Sequence, residues 1–241
     1  MILCCGEALI DMIPDHTGTG AGCLVPTSGG AAFNTAIALG RLSAPVGMFT
    51  GVSDDLFGQQ LRADLAASGV DCAALATLNA LTSLAFVALS EGHAQYTFYT
   101  QGAADTILTA EDCPQSLSPY NALLFGGISL CKEPTASTLK DLQRRASQDC
   151  VTMIDPNIRP SFITDEAAYR ARIGAMMRTA DIVKLSDEDL AWIAQDTEGM
   201  TDQIAALALA PSTLLLITEG AKGATAFRGP DRIAHAASLS V

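Results

Sequence analysis

Basic side chains are scarce in this chain of 241 residues: 14 Lys and Arg stand against 26 Asp and Glu, a formal net charge of −12. Neutralising phosphates supplies most of the affinity of nucleic-acid binders, so that class is excluded. The same deficit argues against binding to anionic membranes. The seven cysteines are odd in number and form no CxxC pair, which excludes a disulfide framework and reads as small buried hydrophobes in a reducing compartment. Adjacent Cys4 and Cys5 are expected to face opposite sides of a strand. His16, His93 and His235 are scattered and form no HExxH or other zinc spacing. There is no GxSxG elbow and no Walker A loop. Gly18, Gly20 and Gly22 neither follow a strand nor open a helix, and read as loop.

Long apolar runs are also missing. The stretch at 73–89 is broken by Asn79, Thr82 and Ser83 and falls short of a membrane span. The N-terminal MILCCGEALIDMIP has no basic region, and Glu7 and Asp11 interrupt it, unlike a signal peptide. A soluble, cytoplasmic protein with no membrane partner is expected. No internal repeat is visible.

What is present is ample core material: 49% hydrophobic and 17% charged residues, with a mean hydropathy of +0.28. The length predicts one large domain, or one with a smaller partner. Strands are predicted at 2–10, 45–50, 122–125, 151–154, 182–184 and 214–218. Amphipathic helices alternate with them at 31–43, 55–68, 134–147, 167–179, 187–195 and 200–209. This alternation predicts an α/β fold with a mostly parallel sheet. Residues 82–99 break it as a hairpin, with Gly92 supplying the turn. With the irregular stretch 12–28 they predict a small β lid on the α/β body. The expected division is 1–11, 29–78 and 102–241 for the body, and 12–28 and 79–101 for the lid. After strand-like segments at 224–227 and 233–237 no covering helix follows, so the chain is expected to be incomplete at its C-terminus.

The strongest local signal is Ser28-Gly29-Gly30-Ala31-Ala32-Phe33-Asn34, running into a helix. Paired glycines at a helix entrance let backbone N–H groups approach a ligand, and the Asn34 amide can donate to and accept from hydroxyls. A tight turn followed by a polar helix residue explains the same residues equally well.

Seven motifs occur in order: GEALID at 6–11, GGAAFNTA at 29–36, GVSDDLFG at 51–58, GAAD at 102–105, DPNIRP at 155–160, KLSDED at 184–189 and TEGAKG at 218–223. Together they resemble the ribokinase-like (PfkB) family of sugar kinases, most closely its fructokinase-like members. The resemblance implies a ribokinase-like three-layer α/β sandwich with a β lid. It further implies ATP and Mg²⁺ as cofactors and a neutral monosaccharide, fructose, as substrate. Asp11 would accept hydrogen bonds from sugar hydroxyls, a task suited to an acceptor-only carboxylate. Gly29, Gly30, Asn34 and Phe98 would line the same sugar site. Asn157 and Arg159 would lie near the substrate and the phosphates, since the planar guanidinium can bind two oxygens at once.

Lys184, Ser186, Thr218, Gly220 and Gly223 match positions on the nucleotide side, and Asp189 would meet the metal through water. Plainer readings stand beside these: Ser186 as a helix N-cap followed by acidic residues, Gly220 and Gly223 as a turn between strands, and Asp54 and Gly58 as loop-shaping residues. The family's DTxGAGD segment, whose last Asp is the general base, has no counterpart here. No catalytic residue is nominated, and activity of the chain as given is in question. Two alternatives remain: a 2-keto-3-deoxygluconate kinase, and a non-catalytic sugar-binding protein. Thr100, following Phe98-Tyr99, carries no charge to pair with a sugar acid and favours a neutral substrate. Relatives often pair their lids, so a homodimer through the lid is expected, with Leu84 and Phe86 exposed on it.

Overall fold

The computed structural model describes residues 1–90, 93–195 and 197–238. The chain begins with β1 (Ile2–Cys5), forms β2 (Leu9–His16) and β3 (Gly22–Gly29), and passes through α1 (Ala31–Arg41) to β4 (Val46–Phe49). Next come β5 (Gly51–Val52), α2 (Leu56–Ala67), β6 (Ala76–Thr77), β7 (Leu84–Ser90) and β8 (His93–Tyr99). The second half alternates through β9 (Ala122–Gly126), α3 (Thr135–Ala146), β10 (Val151–Asp155), α4 (Glu166–Thr179) and β11 (Ile182–Ser186). It continues with α5 (Asp187–Ile193), α6 (Met200–Ala206) and β12 (Leu214–Thr218), and closes with β13 (Ala224–Arg228) and β14 (Asp231–Ala236).

The main sheet has the order β14-β13-β12-β11-β10-β9-β1-β4, parallel from β4 to β12 and antiparallel at β13 and β14. Two cores flank it, which makes the three layers. One joins β1 and β4 to α1 and α2 through Cys4, Phe33, Ile37, Met48, Leu61 and Leu65. The other joins the opposite face to α3–α6 through Cys5, Phe125, Leu139, Tyr169, Leu190 and Ile204. Cys4 and Cys5 therefore face opposite ways, as strand geometry requires. All seven cysteines are free thiols, and burial pushes Cys4 up to about 12, which leaves it unreactive at neutral pH.

Helix starts follow their capping residues. Asp55 accepts from Gly58 N–H at 2.7 Å, Asp165 accepts from Ala168 N–H at 2.9 Å, and Ser186 with Asp189 forms a capping box.

Three expectations change. The strand expected over 2–10 is two strands, because the chain leaves the main sheet after Cys5. Gly6 sits so tightly under α1 that a Cβ there would meet Ala32 Cβ at 2.6 Å. Residues 12–28 are mostly strand rather than irregular: β2 and β3 pair from Leu9↔Gly29 to His16↔Gly22. They extend into a four-stranded sheet of order β3-β2-β7-β8. Leu84 and Phe86 are half-buried rather than exposed, since Leu84 packs on the α1–α2 core and the Phe86 ring meets Tyr99 at 5.3 Å. Among the described side chains of the small sheet, Ile13, Leu24, Val25 and Tyr99 are large, apolar and exposed. The hairpin expected at 82–99 is formed by β7 and β8, while Gly92, its expected turn, lies outside the described residues.

Candidate active site

In a parallel sheet, ligands bind beyond the carboxyl ends of the strands. Here β1 ends at Cys5, β9 at Gly126 and β10 at Asp155, with Gly126 beside Asp155 in register. The small sheet stands over this edge. Between them lies a cleft of about 880 Å³ lined by Glu7, Leu9, Asp11, Gly30, Ala31, Asn34, Phe98, Ile128, Asn157, Arg159, Ser161 and Phe162. That volume suits a small organic ligand.

Of the residues expected to touch a sugar, Asp11, Gly30, Asn34, Phe98, Asn157 and Arg159 line this cleft, while Gly29 is outside the lining and meets Asp11. Asp11, on β2, is half-buried, and burial raises its carboxyl above the usual range. Gly29 faces it across the strand pair, where a Cβ would meet Asp11 Oδ2 at 2.2 Å. Gly30 has φ +111°, and a Cβ on it would meet the Glu7 carbonyl oxygen at 2.6 Å. Asn34 lies one turn inside α1, exposed to the cleft. Phe98, near the end of β8, packs edge to face on Phe162 with ring centroids 4.1 Å apart, so the small sheet touches the body here. Asn157 adopts φ +46°, which Asn tolerates better than most residues. The Arg159 guanidinium donates to the Ile158 carbonyl at 2.9 Å and is paired with no carboxylate among the described residues.

The residues expected on the nucleotide side form a second group further along the same edge, outside the cleft lining. Ser186 and Thr218 are register partners at the ends of β11 and β12. Lys184 Nζ pairs with Asp155 Oδ2 at 3.0 Å. Burial raises the Asp155 carboxyl, Lys184 opposes the shift, and Asp155 Oδ1 has no hydrogen-bond partner among the described residues. Asp189 is 5% exposed, and both its oxygens accept from backbone N–H groups, Ile158 at 2.9 Å and Ser186 at 3.1 Å. It therefore ties α5 to the Asn157–Arg159 turn. Gly220 and Gly223 have φ +54° and +100°, and a Cβ at Gly223 would meet the Ala236 oxygen at 2.0 Å. The turn between β12 and β13 thus requires glycine at 223 and favours it at 220. Thr100 lies in a neighbouring hollow with Gln101, Gly102 and Lys132, not in the cleft lining.

Glu7, Leu9, Ala31, Ile128, Ser161 and Phe162 line the cleft without having been assigned to it from sequence. Glu7 carried a signal, a lone acid inside an apolar strand-like run. Phe162 and Ile128 carried none.

The pfkB family carbohydrate kinase model matches residues 1–238. A fructokinase of Rhizobium leguminosarum bv. trifolii is 46% identical over 228 residues, covering 94% of this chain and 69% of that protein. Fructokinase-2 of Oryza sativa subsp. japonica is 34% identical over 94% of this chain and 70% of its own length. Among solved structures, a fructokinase from Xylella fastidiosa superposes with a TM-score of 0.89 at 29% identity, over 97% of this chain and 77% of that one. A Vibrio cholerae O395 fructokinase, solved with fructose, ADP and calcium ion, gives 0.87 at 27% identity, over 100% and 77%. No helix among the described residues is long and apolar enough to cross a membrane. With the motif order, the sheet topology and the family match in agreement over nearly the whole length, this chain belongs to the pfkB family of carbohydrate kinases.

Proposed function

We propose that this carbohydrate kinase transfers the γ-phosphoryl group of ATP to a hydroxyl of fructose. The observation that carries the reading is the convergence of Asp11, Asn34 and Arg159, from three separate segments, on one cleft. Asp11 accepts hydrogen bonds from vicinal hydroxyls, Asn34 donates and accepts, and Arg159 faces the phosphoryl group. Gly29 and Gly30 supply the close approach, Asn157 the turn and Phe98 an apolar wall. The similarity to fructokinases, one of them solved with fructose and ADP, supports fructose over other neutral sugars.

Lys184, Ser186, Thr218, Gly220 and Gly223 are proposed to meet the nucleotide. Among the described residues no group of three or more His, Cys, Asp or Glu converges to hold a metal. The reading therefore carries Mg²⁺ on the ATP phosphates and links it to the protein through water; both oxygens of Asp189, the expected link, already accept from backbone N–H groups, whereas Asp155 Oδ1 has no partner among the described residues. Bound there, the ion would draw charge from the phosphate oxygens. The reading assigns no general base. It takes 12–28 and 79–101 as a lid that excludes water and expects a cytoplasmic homodimer joined through it. Exposed Ile13, Leu24 and Val25 are apolar surface of the kind such contacts bury.

Calorimetric titration of the 241-residue chain with fructose, 2-keto-3-deoxygluconate and ATP, alongside sugar-dependent ADP formation, tests the proposal. Tighter binding of fructose than of the acid supports it. Preference for the acid transfers the reading to a sugar-acid kinase, and absence of any sugar binding overturns it. Sugar binding without ADP formation, even in a full-length relative carrying this cleft, marks a binding protein.

A further inference from the structure

Glu7 stands where three segments meet. It is 2% exposed, and no Lys, Arg or His pairs with it among the described residues. A carboxylate is costly to bury unless donors surround it, and here they come from two distant segments. Oε1 accepts from Ala31 N–H at 2.8 Å, while Oε2 accepts from Ser129 N–H at 3.2 Å and from the Ser129 hydroxyl at 2.9 Å. Gly30 is the N-cap of α1 and offers no side-chain acceptor. Glu7 replaces that missing cap from 24 residues earlier, at the positive end of the helix dipole. Both glycine neighbours close on it: a Cβ at Gly30 would meet the Glu7 carbonyl oxygen at 2.6 Å, and one at Gly127 would meet Oε1 at 2.2 Å. Both segments it joins contribute to the cleft lining, the first through Gly30, Ala31 and Asn34 and the second through Ile128.

We infer that Glu7 is the positioning residue of the cleft: its carboxylate pins the start of α1 to the loop after β9 and sets the width of the floor on which the sugar rests. The inference rests on the reading of this cleft as the sugar site. Glu7 forms no bond to the reacting atoms in it, because its oxygens are already engaged by the backbone and Ser129.

Glu7→Gln keeps the shape but turns one acceptor into an NH₂ group facing the Ser129 N–H. Ser129→Ala removes a single donor and leaves the charge and the Ala31 bond in place. In Glu7→Gln, amide exchange at Ala31 and Ser129 should accelerate and fructose affinity should fall, each by about tenfold, the loss expected for one hydrogen bond to a charged group. ATP affinity should stay within about twofold, since a general loss of stability would weaken both ligands alike. Glu7→Asp, one methylene too short to span both segments, should not rescue fructose binding. Native fructose affinity in Glu7→Gln, or an equal loss of both ligands, overturns the inference. Should Glu7→Gln give no cooperative melt, Ser129→Ala decides: native fructose affinity there overturns the inference, and a selective loss of fructose supports it. Should the unaltered chain bind no fructose, the fructokinase reading fails on its own. Amide exchange then still decides on the pin, with unchanged exchange at Ala31 and Ser129 overturning it and acceleration supporting it.

Discussion

The carboxylate of Asp11 lies against the α-carbon of Gly29, so close that a Cβ there would meet Oδ2 at 2.2 Å. The obstructing atom is the end of a short side chain, which can rotate aside. Gly29→Ala should therefore displace Asp11 while costing about 1 kcal/mol of stability, the low end for an added methyl at a buried site whose neighbour can move. Gly30→Ala meets main chain instead, the Glu7 carbonyl at 2.6 Å, from φ +111°. Its stability should fall by about 1–3 kcal/mol. Thermal melts and fructose titrations of the two variants separate these effects. Equal stability loss in both would refute the distinction.

Among the described residues Arg159 has no carboxylate partner, and it lines the cleft. Arg159→Ala should weaken binding of fructose phosphate by about tenfold or more, the worth of a charge-assisted hydrogen bond. Free fructose should bind almost as before. Calorimetry with the sugar and its phosphate checks this, and a parallel loss for both would show that Arg159 serves the sugar hydroxyls instead.

Asp105 is 3% exposed and accepts from the Ser83 hydroxyl where the chain enters and leaves the small sheet. Burial raises its carboxyl to about 7; the Ser83 bond opposes the shift, and the charge of Glu7 adds to it. The folded form thus holds a proton that the unfolded chain releases near pH 4. Its contribution to stability is full below that value and is lost as pH rises through about 7, a span worth on the order of 4 kcal/mol. Asp105→Asn carries no charge to bury and should melt higher than the native chain at pH 8. That advantage should shrink toward pH 5. Melts from pH 5 to 8.5 that show a constant difference would contradict this.

Asp55 caps α2 and also accepts from the Thr82 N–H at 2.8 Å and hydroxyl at 2.7 Å, tying the helix to the base of β7. Asp55→Ala should cost about 1–2 kcal/mol, the usual worth of a lost N-cap. Denaturant titration measures it, and a loss under half of that would overturn the capping role of Asp55.

The elements that could be read from sequence are those set by near neighbours. Helix α4 is legible in its Asp165 cap, and β12 in the run Leu214–Thr218, because periodicity and capping depend on residues a few positions apart. The opposite facing of Cys4 and Cys5 follows from strand geometry alone. The ordered motifs identified the family for the same reason, as each is a short local string. Contacts between distant segments left no such trace. Glu7 meets Ser129 across 122 positions and Asp189 meets Ile158 across 31, while Phe98 meets Phe162 only because the small sheet folds over the body. The close approach of Gly6 to Ala32 belongs to this class too, since it joins the end of the first strand to a helix 26 positions on. Local sequence thus determined which elements form and which chemistry they carry. Tertiary packing alone decided which side chains share a cleft, because a chain's loops can bring any two segments together at a cost that barely registers in either one's sequence.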